Sequence, residues 1–103
     1  VVDRYPVQIS AHFHDTRAMA LANVWSSLEV GIRKFDSCIG GLGGCPFAPG
    51  ASGNLATEDI VHMLHQANYE TGINTNALLS AIEYASNALG HKIGGRMTPW
   101  LNQ

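Results

Sequence analysis

Apolar and polar positions alternate along residues 7–14. Val7, Ile9, Ala11 and Phe13 fall on one side, and Gln8, Ser10, His12 and His14 on the other. A period of two predicts a strand with both histidines on one face. Over residues 16–31 the period lengthens. Leu21, Val24, Trp25 and Leu28 recur at helical spacing and predict one buried stripe. Asp15 or Thr16 offers a capping oxygen at its start, and Gly31 can end it in the left-handed conformation. Residues 33–39, Arg-Lys-Phe-Asp-Ser-Cys-Ile, read as a second short strand. Strand, amphipathic helix, strand is a βαβ unit, which implies parallel strands joined by a right-handed crossover.

Residues 40–56 are too rich in Gly and Pro for helix or central strand. A connection of more than about 12–15 residues without regular structure is uncommon in a compact domain and usually serves function or is disordered. It holds neither GxGxxG nor GxxxxGK, so it does not read as a nucleotide cradle. A helix is expected over 57–68. Thr57 suits its cap, and Glu58 and Asp59 set negative charge against the positive end of its dipole. Ile60, Val61, Leu64 and Ala67 form its inward stripe. After a turn at Thr71-Gly72, a third helix is expected over 75–89, with Leu78, Ile82, Ala85 and Leu89 inward and Gly90 as its stop. The tail 91–103 carries Gly94-Gly95, Pro99 and an exposed-looking Trp100, and predicts no element.

The order is therefore β-α-β-loop-α-α. Two parallel strands do not close a sheet. In a (β/α)₈ barrel the chemistry sits at the C-terminal ends of the strands. The histidine pair ends one strand and the Gly-rich loop leaves the end of the next, so both fall on one rim. A whole barrel takes roughly 250 residues, so 103 residues make less than half of one.

Composition narrows the class. Hydrophobic residues at 46% and charged residues at 14% are those of a globular chain rather than a disordered one. The net charge is −2, and the six Lys and Arg residues are scattered. That argues against a nucleic-acid or membrane-surface partner. No apolar run reaches the ~18 residues of a membrane span, and no secretory signal is visible. The chain opens Val-Val-Asp without Met, which suggests that its start is missing. Cys38 and Cys45 match no zinc-ribbon or redox spacing, and point to a reducing, cytoplasmic setting.

His12-x-His14 on a strand directs two imidazoles to one side, about 7 Å apart along the chain by two ~3.3 Å rises, close enough to share an ion. By spacing alone, such pairs are more often surface or core residues than ligands. Cys45, inside Gly-Gly-Cys-Pro, has an uncrowded thiol suited to acid, base or nucleophilic work, or is only a small loop residue. Cys38 reads as a buried small hydrophobe within its strand. Asn54 offers an amide oxygen to a hard cation, or simply caps a turn. His62 and His65 read as exposed helix-face residues. Glu58 is a dipole partner or stands behind a metal ligand, the former being favoured.

The segments His12-Phe-His-Asp-Thr, Gly41-Leu-Gly-Gly-Cys-Pro-Phe-Ala-Pro-Gly-Ala-Ser-Gly-Asn54 and Ala56-Thr-Glu-Asp resemble the C-terminal third of the hydroxymethylglutaryl-CoA lyases. These belong to the TIM-barrel metallolyases that include isopropylmalate and homocitrate synthases. The match runs from about residue 7 to 90. The cysteine loop with its terminal Gly-Asn is specific to the lyase branch, whereas the histidine pair is shared more widely. The resemblance implies an α/β fold, the last two βα units and a C-terminal helix of a (β/α)₈ barrel. Residues 7–70 would be barrel, with a helix and tail at 75–103.

The resemblance further implies His12 and His14 as metal ligands, Asn54 as a third, and Cys45 as the catalytic cysteine. His12 would act as base toward the substrate hydroxyl. Mg²⁺ or Mn²⁺ would be the cofactor and an acyl-CoA the substrate. The intact enzyme would be a homodimer, mitochondrial in a eukaryote. The family's aspartate ligand, in an Asp-Arg-Glu-type segment, is absent from these residues, so the isolated chain is expected to be inactive. Arg17-Ala18 stands where many relatives carry Tyr-Gly or Arg-Gly. The expected reaction splits 3-hydroxy-3-methylglutaryl-CoA into acetyl-CoA and acetoacetate. The alternatives are an enzyme condensing an acyl-CoA with a 2-oxo acid, which would leave Gly-Gly-Cys-Pro unexplained, and a non-catalytic fragment.

Overall fold

The computed structural model describes residues 3, 4, 7–43 and 53–103. Strands β1 (Ser10–His12) and β2 (Lys34–Asp36) pair in parallel, with Ser10 opposite Lys34, Ala11 opposite Phe35 and His12 opposite Asp36. Helix α1 (Ala20–Glu29) connects them, completing the expected βαβ unit. Both strands are shorter than the spans 7–14 and 33–39. Each has only one neighbour among the described residues, so regular pairing stops where the two chains part. Beyond His12 and Asp36, isolated bridges continue it: His14 with Asn54 and Cys38 with Ala56.

Helix α1 starts later than its periodicity suggests. Residues 15–18 form a turn closed by the Ala18 N–H donating to Asp15 O at 3.1 Å, and Ala18 takes a left-handed φ of 59°. Neither Asp15 nor Thr16 is the N-cap, a position held by Met19 without a side-chain cap bond; Asp15 Oδ1 instead accepts from the N–H of Ala20, the first helical residue, at 3.2 Å. At the other end Gly31 is left-handed (φ 94°), and the Leu28 carbonyl accepts both from the Gly31 N–H at 3.1 Å and from Arg33 Nη1 at 2.9 Å. The buried stripe is Ala20, Val24, Ser27 and Leu28. Trp25, expected inward, is 45% exposed. Ala20, one turn before Val24, belongs to the stripe instead.

A 3₁₀ turn at Ile39–Gly41 follows β2, and helices α2 (Thr57–Gln66), α3 (Thr75–Leu89) and α4 (Thr98–Leu101) complete the order. Thr57 is not the cap of α2. Ala56 occupies that position, while the Thr57 hydroxyl pairs with that of Ser37 at 2.7 Å. Helix α3 has its predicted span. Asn74 Oδ1 caps it by accepting from the Ala77 N–H at 2.9 Å, and Gly90 ends it at φ 77°. Its inward residues are Leu78 and Ile82, with Ala85 half-buried. Leu89 is 50% exposed.

Two apolar clusters result. Ala20, Val24, Leu28, Leu55 and Ile60 join α1 to α2 beneath the strands, and Val61, Leu78, Ile82 and Ile93 join α2, α3 and the tail. The tail, which predicted nothing, is thus anchored by Ile93. Trp100 is exposed, as expected, with its ring edge-to-face on His62 at 5.4 Å between centroids. His62 is consequently half-buried rather than free on its helix face. Among the described residues no helix is long and apolar enough to cross a membrane.

Candidate metal site at the strand ends

Alternation along β1 decides where the histidines point. Ala11 and Phe13 are half-buried, and His12 and His14 are exposed on the opposite side. Their rings meet edge-to-face with centroids 5.1 Å apart. Because β1 and β2 are parallel and in register, Asp36 lies beside His12, with its Oδ2 3.8 Å from His12 Nδ1. That is beyond hydrogen-bond length but within reach of a Coulomb interaction. Sequence reading did not single out Asp36. Its place beside His12 depends on strand register, which one strand alone does not specify.

Asn54 reaches the pair through backbone pairing. The Leu55 N–H donates to Phe13 O at 3.1 Å and the Asp15 N–H to Gly53 O at 3.0 Å, flanking the antiparallel bridge of His14 with Asn54. Gly53 is required here. A Cβ on it would collide with the carbonyl oxygens of Gly41 and Gly43. The Asn54 side chain is held firmly. Its Nδ2 donates to Leu42 O at 2.9 Å and to Cys38 Sγ at 3.3 Å. The amide oxygen is therefore turned the other way. Oδ1 is buried and has no hydrogen-bond partner among the described residues.

A buried carbonyl oxygen left without a partner is costly and calls for an explanation. Ligation of a cation is one, and it fits the donor set: an imidazole at the end of β1, a second two residues on, and one amide oxygen bridged to the latter. Asn54 also lines a cavity of about 160 Å³ with Asp15, Asp59 and Arg96. Among the described residues no three His, Cys, Asp or Glu side chains gather into a complete metal cage. The set is thus neutral and partial. Cys45 lies outside the described residues. Cys38 is half-buried at the bridge to Ala56 rather than a core residue in a strand, and its sulfur serves as an acceptor.

Glu58 and Asp59 do more than complement a dipole. Glu58 is 1% exposed and Asp59 4%. Glu58 Oε1 accepts from the Gly40 N–H at 2.9 Å, and Oε2 from the Gly95 N–H at 2.8 Å and the Thr98 hydroxyl at 2.6 Å. Asp59 accepts from the backbone N–H groups of Arg96 and Met97 at 3.0 and 2.8 Å. Glu58 thus joins the tail to the turn that follows β2, and Asp59 holds the tail to α2. Burial raises the Asp59 pKa above its ordinary value of 3.8; the Met97 and Arg96 N–H groups oppose this, and the charges of Glu58 and Asp15 add to it. The sequence did show acidic residues at a helix start, but not the tail that would come to them.

A family model described as HMGL-like matches residues 1–84. The chain belongs to the HMGL-like family. The hydroxymethylglutaryl-CoA lyase of Bacillus subtilis is 51% identical over 94 residues, which are 90% of this chain and 31% of that protein. The (R)-citramalyl-CoA lyase of Chloroflexus aurantiacus is 45% identical over 90% of this chain and 30% of that one. A crystal structure of the B. subtilis HMG-CoA lyase superposes with a TM-score of 0.92 at 47% identity, covering 99% of this chain and 35% of that one. This HMGL-like chain is therefore an α/β portion of a TIM barrel with its parallel strands in place. It spans about a third of the length of the relatives it matches.

Proposed function

We propose that this chain supplies the metal-binding rim of a lyase that splits 3-hydroxy-3-methylglutaryl-CoA into acetyl-CoA and acetoacetate. The observation that carries the reading is the buried Asn54 Oδ1, unpartnered among the described residues and bridged beside His14. The names of the similar lyases support a CoA thioester as substrate. His12, His14 and Asn54 would hold a divalent cation, Mg²⁺ or Mn²⁺. When bound, the cation supplies Lewis acidity that lowers the pKa of the substrate's tertiary hydroxyl.

The remaining work falls to side chains. His12 takes the hydroxyl proton with its ring off the cation, because an imidazole that ligates through one nitrogen carries a proton on the other and has no site left to accept one; Asp36 Oδ2 lies 3.8 Å from its Nδ1. Loss of that proton drives cleavage of the adjacent carbon–carbon bond and leaves the enolate of the acetyl thioester. Cys45 donates the proton that quenches this enolate. The His14–Asn54 bridge keeps two of the ligands in fixed relation, so little ordering is left to be done on binding.

The experiment is replacement of Cys45 by Ala in the intact protein that carries this chain. Turnover of the hydroxymethylglutaryl thioester should fall by roughly two to four orders of magnitude, the usual range for loss of an acid–base group. Mn²⁺ affinity should hardly change. Unchanged turnover removes Cys45 from the mechanism. Running citramalyl-CoA beside it decides the acyl group, and thiol release from acetyl-CoA with a 2-oxo acid would instead support a condensing enzyme.

A further inference from the structure

We infer that Cys38 is a positioning residue that sets the orientation of the Asn54 amide, and through it the metal affinity of the site. The inference rests on the reading of Asn54 as a ligand. An amide has two nearly isosteric ends, of which only the oxygen can ligate a cation. Which end faces the site is decided by what the other end finds. Here the Nδ2 end finds two acceptors, Leu42 O at 2.9 Å and Cys38 Sγ at 3.3 Å, while Oδ1 finds no donor among the described residues. A flipped amide would set its oxygen against a carbonyl oxygen and a sulfur, and would aim two N–H groups where the cation belongs.

The geometry leaves the amide little room to adapt. Asn54 N–H donates to Gly43 O at 2.9 Å, and Gly43 has a φ of +92° and so little space that a Cβ on it would lie 2.9 Å from Asn54 Nδ2. Cys38 is itself fixed on both sides of its peptide. Its N–H donates to Leu55 O at 3.0 Å, and its carbonyl accepts from the N–H groups of Gly41 and Thr57 at 3.0 and 2.9 Å. The sulfur is therefore held against the segment 55–57, which follows the ligand. Sequence reading placed Cys38 in the core because a lone thiol in a strand pattern is usually a small hydrophobe.

The test is a double-mutant cycle read by Mn²⁺ binding in electron paramagnetic resonance, on the intact protein. Cys38→Val removes the acceptor at similar volume and should weaken Mn²⁺ by roughly three- to tenfold, as loss of one hydrogen bond implies. Cys38→Ser keeps an acceptor and should stay near wild type. In an Asn54→Asp background both ends of the side chain are oxygen, so Cys38→Val should no longer change the affinity. Cys38→Ala serves in place of Val if that variant does not fold.

Equal weakening in both backgrounds, or wild-type affinity for Cys38→Val, overturns the inference while leaving Asn54 as a ligand. An Asn54→Ala variant with wild-type Mn²⁺ affinity overturns the underlying reading, and the inference with it.

Discussion

Asn54 lies across an antiparallel bridge from His14, and its amide oxygen is buried without a hydrogen-bond partner among the described residues. The bridge joins the far end of the Gly-rich segment to the residues at and just beyond the end of β1 that carry the two imidazoles. It depends on Gly53, whose missing side chain lets the backbone approach Gly41 and Gly43. Gly53→Ala should therefore destabilise the fold by about 1–3 kcal/mol through forced backbone displacement. Mn²⁺ affinity should fall with it. Urea unfolding and a metal titration measure the two effects; a neutral substitution would mean that the loop has slack at this point.

Ala18 holds a left-handed φ of 59° at the turn before α1. A Cβ in that conformation costs roughly 1–2 kcal/mol. Part of the cost is offset because Ala restricts the unfolded chain more than Gly does. Ala18→Gly is expected to stabilise the protein by about 0.5–1 kcal/mol, seen as a raised denaturation midpoint with an unchanged slope.

Glu58 accepts three hydrogen bonds while 1% exposed. Glu58→Gln keeps the volume but loses the charge and turns one acceptor into a donor that faces other donors. The loss should be about 2–3 kcal/mol, the scale of hydrogen bonds to a charged group. Because Gly40 and Gly95 share this carboxylate, hydrogen exchange should quicken both in the turn after β2 and in residues 93–98. Faster exchange in one segment alone would show that the two are held independently.

Asp59 gives a pH dependence of defined sign. Its folded pKa is raised, first by burial, so the folded state holds the proton more tightly than the unfolded state does. The contribution of this group is then fully present below its ordinary value of 3.8 and is lost as pH rises through the folded pKa. Asp59→Asn should remove that downward slope just above pH 3.8, as measured by urea midpoints across the acid range. An identical slope in the variant would assign it to other groups.

Much of the local structure was legible in the chain because its periods are strong. Strict alternation put His12 and His14 on one face, and the 3.6-residue spacing with Gly90 as stop gave α3 its observed span, although the Asn74 cap was not read from the chain. The βαβ order required parallel strands, and the pairing of β1 with β2 has that sense. What the sequence could not determine are the meetings between segments distant along the chain. Asp36 lies beside His12 through strand register, and Cys38 turns the Asn54 amide through a bridge to Ala56. Glu58 and Asp59 leave the solvent only because residues 95–98 bring their N–H groups and a hydroxyl to them. Periodicity reports which face of one element is apolar, whereas hydrogen-bond partners across 16 to 40 residues follow from how whole elements pack.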